Sequence, residues 1–94
     1  MTTTSSSLKL PAQLTIESVA GAMKQLRLAA DGVEGGRVMV DASTLKDFDT
    51  ASVAALLDLR RHLHRNNRTL QVVGIPEHLK ELIRLYGVSE LLTA

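Results

Sequence analysis

The sequence predicts one α/β domain, with a mixed, mainly parallel sheet of about four strands packed against helices on one side. Three observations carry this prediction. The chain has 94 residues, which is room for a single hydrophobic core. Hydrophobic residues make up 45% of it but aromatics only 2%, so that core must be aliphatic. Segments with strand-like and helix-like apolar spacing alternate along the chain, and strands joined by helices pair in parallel.

The first part of the chain predicts a strand followed by a helix. Residues 1–7, which are rich in Thr and Ser, are expected to form a disordered lead-in to a single domain over residues 8–94. Alternating apolar residues then predict extended chain, which Pro11 interrupts, so the segment forms an edge strand or a broken pair. Thr15 is expected to cap the first helix. The apolar residues with helical spacing are Ile16, Val19, Ala20, Met23, Leu26 and Ala30.

Two further strand–helix units follow. Residues 38–40 are apolar on both faces, which is typical of a central strand, and the run ends at Asp41. The second helix is expected to begin at Asp49 or Thr50 and to place Leu56 and Leu57 on its buried side. Its predicted apolar stripe consists of Val53, Ala54, Leu56, Leu57 and Leu63. The third unit has a strand over residues 70–75 and a helix that Gly87 ends, before a short apolar tail that docks back on the sheet.

Composition excludes several classes of function. The net charge is +1, which gives no global field to attract nucleic acid. The chain has no cysteine, so thiol catalysis and cysteine-ligated zinc are excluded. No apolar run approaches the ~20 residues that span a bilayer. His62 and His64 point about 200° apart on a helix, so they are expected to face solvent and not to share a metal. We therefore predict no cofactor and no metal.

The aspartates around the second strand have two interpretations. Asp41, Asp47 and Asp49 could bind a cation, or they could serve as strand-end, turn and cap residues. The second interpretation is favoured because EF-hand spacing is missing. Gly35-Gly36 precedes a strand and not a helix, so it is no phosphate loop, and the serines have no G-x-S-x-G motif. The sequence predicts no catalytic site.

The start of the second predicted helix is the strongest candidate for a functional site. A buried strand delivers a loop to this point, where free N–H groups and the positive end of the helix dipole face outward. Thr50 places a hydroxyl there, which could carry a phosphate, and small neighbours let a partner approach closely. The alternative is that Asp49 and Thr50 are only a helix cap. The residues predicted to bind a partner are Asp47, Asp49, Thr50, Ala51 and Ser52.

The basic end of the same helix is a second candidate surface. It carries Arg60, Arg61, Arg65 and, just beyond the helix, Arg68. Cations at a helix C-terminus interact favourably with the dipole, so a solvated helix end explains them. The alternative is a docking patch for an acidic partner or for anionic lipid heads.

The central segment resembles the STAS domain family (sulfate transporter and anti-sigma factor antagonist). That family has a hydrophobic strand ending in Asp, a loop, an Asp-Ser or Asp-Thr pair, a small residue and a Leu-rich helix. The corresponding residues here are 38–41, Phe48, Asp49-Thr50, Ser52 and Leu56-Leu57. Residues 70–76 and Leu85-Tyr86-Gly87-Val88 match the second half, so the resemblance covers residues 8–92.

Within the family, the chain is most similar to the small stand-alone STAS subunits of bacterial phospholipid transporters. This resemblance implies a partner, the ATPase subunit of an inner-membrane ABC transporter that maintains outer-membrane lipid asymmetry. It also implies a cytoplasmic location, at the inner membrane only through that complex, and a functional, often phosphorylatable hydroxyl at Thr50. Two alternatives stay open: an anti-sigma factor antagonist with a phospho-switch at Thr50, and a small-ligand or lipid-binding domain.

Overall fold

The computed structural model describes residues 7–92 of the chain. Their elements are β1 (Ser7–Lys9), β2 (Gln13–Leu14), α1 (Val19–Gly32), β3 (Arg37–Asp41), β4 (Asp47–Phe48), α2 (Thr50–Arg65), β5 (Thr69–Val73), α3 (Glu77–Leu85) and α4 (Ser89–Leu92). Of the expected lead-in, residues 1–6 lie outside the described residues, and Ser7 is the first residue of β1. None of these helices is long and apolar enough to cross a membrane.

The strands pair in parallel, which confirms the predicted α/β class. β1, β3 and β5 form a three-stranded sheet with β3 in the centre, and β2 pairs with β4 in a second, two-stranded sheet. The register sets Leu8 beside Val40, and Val40 beside Val72. The mainly parallel sheet that the sequence predicts is therefore divided, within the described chain, into three strands and two.

One face of the three-stranded sheet lies against the helices. Val38 and Val40 are fully buried there, and Val72 is 8% exposed. Successive strand residues point to opposite faces, so Arg37 and Met39 lie on the other side of the sheet. Arg37 is exposed there and Met39 is half-buried. α2 packs against both α1 and β5. The core between these layers is aliphatic, as the composition predicts.

The N-terminal segment is a broken pair of strands, one of the two predicted alternatives. Pro11 lies between β1 and β2, where it does not have to donate to either ladder. Pairing with β3 continues through Leu10, whose N–H donates to the carbonyl of Asp41 at 2.9 Å. The chain then crosses to the second sheet, where the carbonyl of Ala12 accepts the N–H groups of Lys46 and Asp47.

The predicted start of the first helix is wrong. α1 begins at Val19, and Thr15 instead opens a turn in which its N–H donates to Ser18 Oγ at 3.0 Å. Ser and Thr side chains compete with the helix for local backbone groups, and this pair forms a turn one step before the helix. Ile16 lies in that turn and is 72% exposed, so it does not belong to the apolar face of α1.

α2 buries a different stripe from the predicted one. Leu56 and Leu63 are fully buried, as expected, and so is Leu59, which the sequence interpretation did not include. Leu57 is only half-buried and Ala54 is exposed. Because consecutive residues are about 100° apart on a helix, Leu56 and Leu57 cannot both face the centre of the core. The helix turns Leu56 inward, and Leu57 lies at the edge of the buried face.

Two polar pairs join α1 to α2. Arg27 forms an ion pair with Asp58, and the Asp31 carboxylate lies 2.8 Å from His62 Nε2. The His62 side chain is 22% exposed and lies against Asp31 of α1, so it faces solvent only in part and not fully as expected. His64, which points the other way, is exposed as expected.

The C-terminal part of the described chain closes the domain. Gly87, with φ of +71°, ends α3 as predicted, since this conformation is unfavourable for residues with a Cβ. The apolar tail docks back on the domain, also as predicted, through α4, which packs against β5, α2 and α3. Leu92 is buried in this contact, whereas Leu91 is 40% exposed.

Candidate functional site

Asp49 fixes the start of α2. Its Oδ1 accepts the N–H of Ala51 at 2.8 Å, which is an N-cap hydrogen bond. Its Oδ2 accepts the N–H of Ile16 at 3.1 Å, from the turn before α1. One carboxylate therefore caps the helix and ties it to a second segment of the chain. This cap also occupies one of the N–H groups that were expected to be free.

Thr50 is the first residue of α2, and its side chain is exposed. Among the described residues, its hydroxyl has no hydrogen-bond partner. Ser52, two residues further on, is fully buried and donates its Oγ hydrogen to the carbonyl of Asp49 at 2.6 Å. The two hydroxyls thus have different surroundings: Ser52 completes the cap from inside, and Thr50 remains available to a partner.

The five predicted site residues are brought together but do not form one surface. Ala51 is 7% exposed and Ser52 is not exposed at all, so neither lies where a partner could contact it directly. Their small size serves the packing of α2 against its own domain. Asp47 is exposed in β4, and Gln13 Nε2 lies 3.5 Å from its Oδ2. The accessible part of the predicted site consists of Thr50, Asp47 and the half-buried Asp49.

A groove adjoins Thr50 on the side of α3. It has a volume of about 390 Å³ and is lined by Thr50, Val53, Ala54, Leu57, Tyr86 and Val88. Tyr86 is 53% exposed, and its neighbour Leu85 is 77% exposed. Sequence reasoning did not assign Tyr86 or Val88 to the site. The signal that could have found Tyr86 is its rarity, since it is one of only two aromatic residues and follows a helix end.

Asp41 organises the loop after β3. Its Oδ1 accepts the N–H of Ser43 at 2.9 Å. Hydrogen bonds from the Ser43 side chain and backbone, with a further effect of the Lys9 charge, hold the pKa of Asp41 below its ordinary value, although desolvation opposes them. Gly74 packs on this turn with φ of +66°, and a Cβ there would lie 3.0 Å from Ser43 Cβ.

The aspartate cluster therefore supports the turn-and-cap interpretation. Asp41 holds a turn and Asp49 caps α2, so two of the three carboxylates already have structural partners. Within residues 7–92, no group of three or more His, Asp or Glu side chains has an arrangement suited to a metal ion.

The basic end of α2 divides into two parts. Arg68 turns away from the predicted patch and bonds to the C-terminal end of α1: Nη1 donates to Ala30 O at 2.9 Å, Nε to Gly35 O at 2.9 Å, and Nη2 to Val33 O. The remaining arginines, Arg60, Arg61 and Arg65, form no ion pair with any carboxylate in the described part of the chain.

Comparison with known proteins gave one positive result. A family model described as "Mlab, STAS domain" matches residues 1–93, which is nearly the whole chain. A search of curated proteins found no match. STAS domains are in general non-catalytic binding domains that mediate protein–protein interaction.

Proposed function

Because the chain belongs to the STAS domain family and resembles MlaB, we propose that it is a non-catalytic accessory subunit of an ABC phospholipid transporter. In this proposal it binds and regulates the transporter's ATPase at the inner membrane, and the complex maintains outer-membrane lipid asymmetry. The protein would be cytoplasmic and would reach the membrane only through its partner. The observation that carries the proposal is the exposed Thr50, whose hydroxyl has no partner in the described chain and which the family resemblance makes the expected functional position.

The surface around Thr50 has the composition of a protein interface. Its centre is a small hydroxyl residue beside Ala54, which together permit close approach of another chain. Leu57, Tyr86 and Val88 supply an apolar floor and an aromatic anchor. Fully desolvated aromatic anchors surrounded by smaller contacts contribute most of the binding energy in many interfaces. We infer that a partner covers Thr50 and Tyr86 together.

The phospho-switch alternative has less support from the charges around Thr50. A phosphate there would add about −1.5 to −2 charge next to Asp49, the residue that directly precedes Thr50. Asp49 already accepts the N–H of Ala51, so that donor is not free for a phosphate. Intact-mass measurement of the protein from its native cell tests this alternative, since a stoichiometric gain of one phosphate would favour it.

The experiment for the proposed function compares Thr50→Glu with Thr50→Ala. Each variant is melted by circular dichroism, and its affinity for the purified transporter ATPase is measured by calorimetry. Thr50→Glu places a charge at a helix N-terminus, which the dipole tolerates, so the fold survives. The free energy of binding to the ATPase should weaken by several kcal/mol, because a carboxylate buried in the interface without a partner is unfavourable.

Thr50→Ala is the matched control. It should weaken the free energy of binding to the ATPase by about 1 kcal/mol, the value of one lost hydrogen bond. A Thr50→Glu variant that melts and binds like the wild type would place the partner on another surface. Mass spectrometry of the purified wild type covers the lipid-binding alternative, because a co-purified phospholipid in equal amount would favour that class of function.

A further inference from the structure

α1 exposes three side chains that lie in line along one face of the helix. They are Lys24, Leu28 and Asp31, and we call them the α1 stripe. Their spacing is i, i+4 and i+7, which places them above one another on the helix surface. Leu28 is 68% exposed, and the Asp31 side chain is 52% exposed. The stripe therefore has an apolar centre and two ends of opposite charge.

An apolar groove between α1 and α2 lies directly beside the α1 stripe. Its volume is about 800 Å³, compared with about 390 Å³ for the groove beside Thr50. All three residues of the stripe belong to its lining. Its apolar lining consists of Val19, Ala20, Met23, Leu28, Ala54 and Ala55. Because three of these side chains are single methyl groups, an apolar side chain from outside can enter between the helices. The same surface thus offers a projecting leucine and the space to receive one.

The α1 stripe is complementary to itself when its direction is reversed. Along the helix axis, Lys24 lies about 6 Å before Leu28, and Asp31 lies about 4.5 Å after it. A two-fold axis near Leu28 sets a second copy of α1 antiparallel to the first, and each contact across such an axis occurs twice. Lys24 of each copy then lies opposite Asp31 of the other, with the two leucines between the two pairs.

The other charges on this surface do not oppose that contact. Arg27 already forms an ion pair with Asp58 of α2. Asp31 lies 2.8 Å from His62 Nε2 through its Oδ1 atom, and a carboxylate can accept several hydrogen bonds, so it can serve Lys24 of a second copy as well. The net charge of the chain is +1, so two copies repel each other only weakly.

Independently of the proposed function, we propose that two copies of this chain associate through their α1 stripes, across a two-fold axis near Leu28. Leu28 of each copy enters the α1–α2 groove of the other, and Lys24 pairs with Asp31 at both ends of the contact. One 14-residue helix per copy supplies most of the interface, so the buried area falls below the roughly 1,600 Å² of a standard interface. The dimer is therefore weak and depends on the protein concentration.

The two signs of charge on one short stripe favour a second copy over other occupants. A uniformly anionic surface, such as a layer of lipid headgroups, would attract Lys24 but repel Asp31 about 10 Å further along the helix. A different protein would need two charges of the right signs at the same separation. A second copy supplies both by symmetry.

Charge reversal tests the pairing of Lys24 with Asp31. Sedimentation velocity of the wild type from about 5 to about 500 µM chain should show a shift from monomer toward dimer. Lys24→Asp and Asp31→Lys should each weaken dimerisation about tenfold or more, because both pairs become repulsive. An equimolar mixture of the two variants should dimerise like the wild type, since every pair across the axis then has opposite charges again.

Two controls accompany this measurement. Melting curves confirm that each variant folds, because Asp31→Lys also removes the contact with His62. Lys80→Asp is the matched substitution, since Lys80 is exposed on α3 and its replacement changes the net charge as Lys24→Asp does. We expect Lys80→Asp to dimerise within about twofold of the wild type.

Cross-linking tests the position of the axis. The chain has no cysteine, so Leu28→Cys provides a single thiol per copy. A short bismaleimide should link two copies of Leu28→Cys, because the two residues meet at the axis. Leu85→Cys is the matched control, since Leu85 is 77% exposed on α3, and it should be linked much more slowly.

Three results would overturn the inference. They are a wild type that stays monomeric over the whole concentration range, dimerisation of Lys24→Asp as strong as that of the wild type, and equal cross-linking of the two cysteine variants. If the wild type stays monomeric and Lys24→Asp weakens binding to the purified ATPase, this surface belongs to the ATPase instead. The proposed function is tested separately, through the Thr50 variants, so its failure and the failure of this inference are distinguishable.

Discussion

Truncating the Arg68 side chain should destabilise the domain, although this side chain does not belong to the apolar core. The last carbonyls of a helix have no partner within the helix, and α1 has no basic residue in its last turn. Arg68, which follows α2, supplies the missing cation from another part of the chain. Its guanidinium reaches three carbonyls at the end of α1, those of Ala30, Val33 and Gly35.

The loss of folding stability expected for Arg68→Ala can be worked out from those three hydrogen bonds. The bonds to Ala30 and Val33 are partly buried, and hydrogen bonds to charged groups contribute about 1.5–3 kcal/mol each. The bond to Gly35 is exposed, so water replaces it at little cost. The favourable interaction of the Arg68 charge with the C-terminal end of the α1 dipole contributes a further 0.3–1 kcal/mol, roughly, to stability. Since truncation lets water reach part of the opened site, we expect a loss of about 3 kcal/mol.

Urea denaturation of three variants tests this value. Arg68→Ala should lose about 3 kcal/mol, and Arg68→Lys about half of that, because an ammonium keeps the charge but not the fork of donors. Arg65→Ala is the control and should stay within about 0.5 kcal/mol of the wild type, since its side chain is exposed. If Arg68→Ala and Arg65→Ala unfold at the same urea concentration, the assignment of Arg68 to the end of α1 is wrong.

Three further predictions concern the core, a turn and the acid limit of stability. Leu56→Ala should destabilise the fold by about 2–5 kcal/mol and the half-buried Leu57→Ala by less than about 1.5, so equal losses in urea would mean that α2 is rotated. Gly74→Ala should cost about 2 kcal/mol, because φ is positive and Ser43 is too close, whereas Gly21→Ala, which meets open space in α1, should stabilise by about 0.5–1; thermal melting distinguishes them by sign. Because the pKa of Asp41 is lowered in the fold, its contribution to folding stability is present above the ordinary pKa of 3.8 and is lost as pH falls below that value. Asp41→Asn should therefore reduce the slope of stability against pH between about pH 5 and pH 3, and an unchanged slope would contradict this role.

The strands of the three-stranded sheet and most of the core could be predicted because their signals are local, whereas the two-residue strand β4 was not predicted. Residues 38–40 are apolar on both faces, and such a run has few alternatives to a central strand. Gly87 likewise determines the end of α3 through its own backbone. Thr15 misled the prediction because a Thr before an apolar residue fits both a cap and a turn. The choice depended on Ser18, whose hydroxyl accepts the N–H of Thr15.

The long-range contacts could not be predicted in the same way. Arg68 belongs by sequence to a basic run at the end of α2, but it bonds to carbonyls 33 to 38 residues earlier. His62 likewise pairs with Asp31 across two helices. Spacing along a helix gives the direction of a side chain, not the element that meets it. The candidate site shows the same limit, since Thr50 was found from its own helix but Tyr86 comes from the turn after α3.

The direction of Thr50 is a consequence of how the cap of α2 is built. Asp49 is tied to two segments, and Ser52 donates back to the Asp49 carbonyl from inside the domain. Residues two positions apart on a helix point about 200° away from each other, so burying the hydroxyl of Ser52 turns Thr50 outward. Asp49 and Ser52 therefore hold the start of α2 in the position that exposes Thr50. A binding defect in Ser52→Val or Asp49→Ala would report a displaced helix start, whereas a defect in Thr50 or Tyr86 variants that melt normally reports the contact itself.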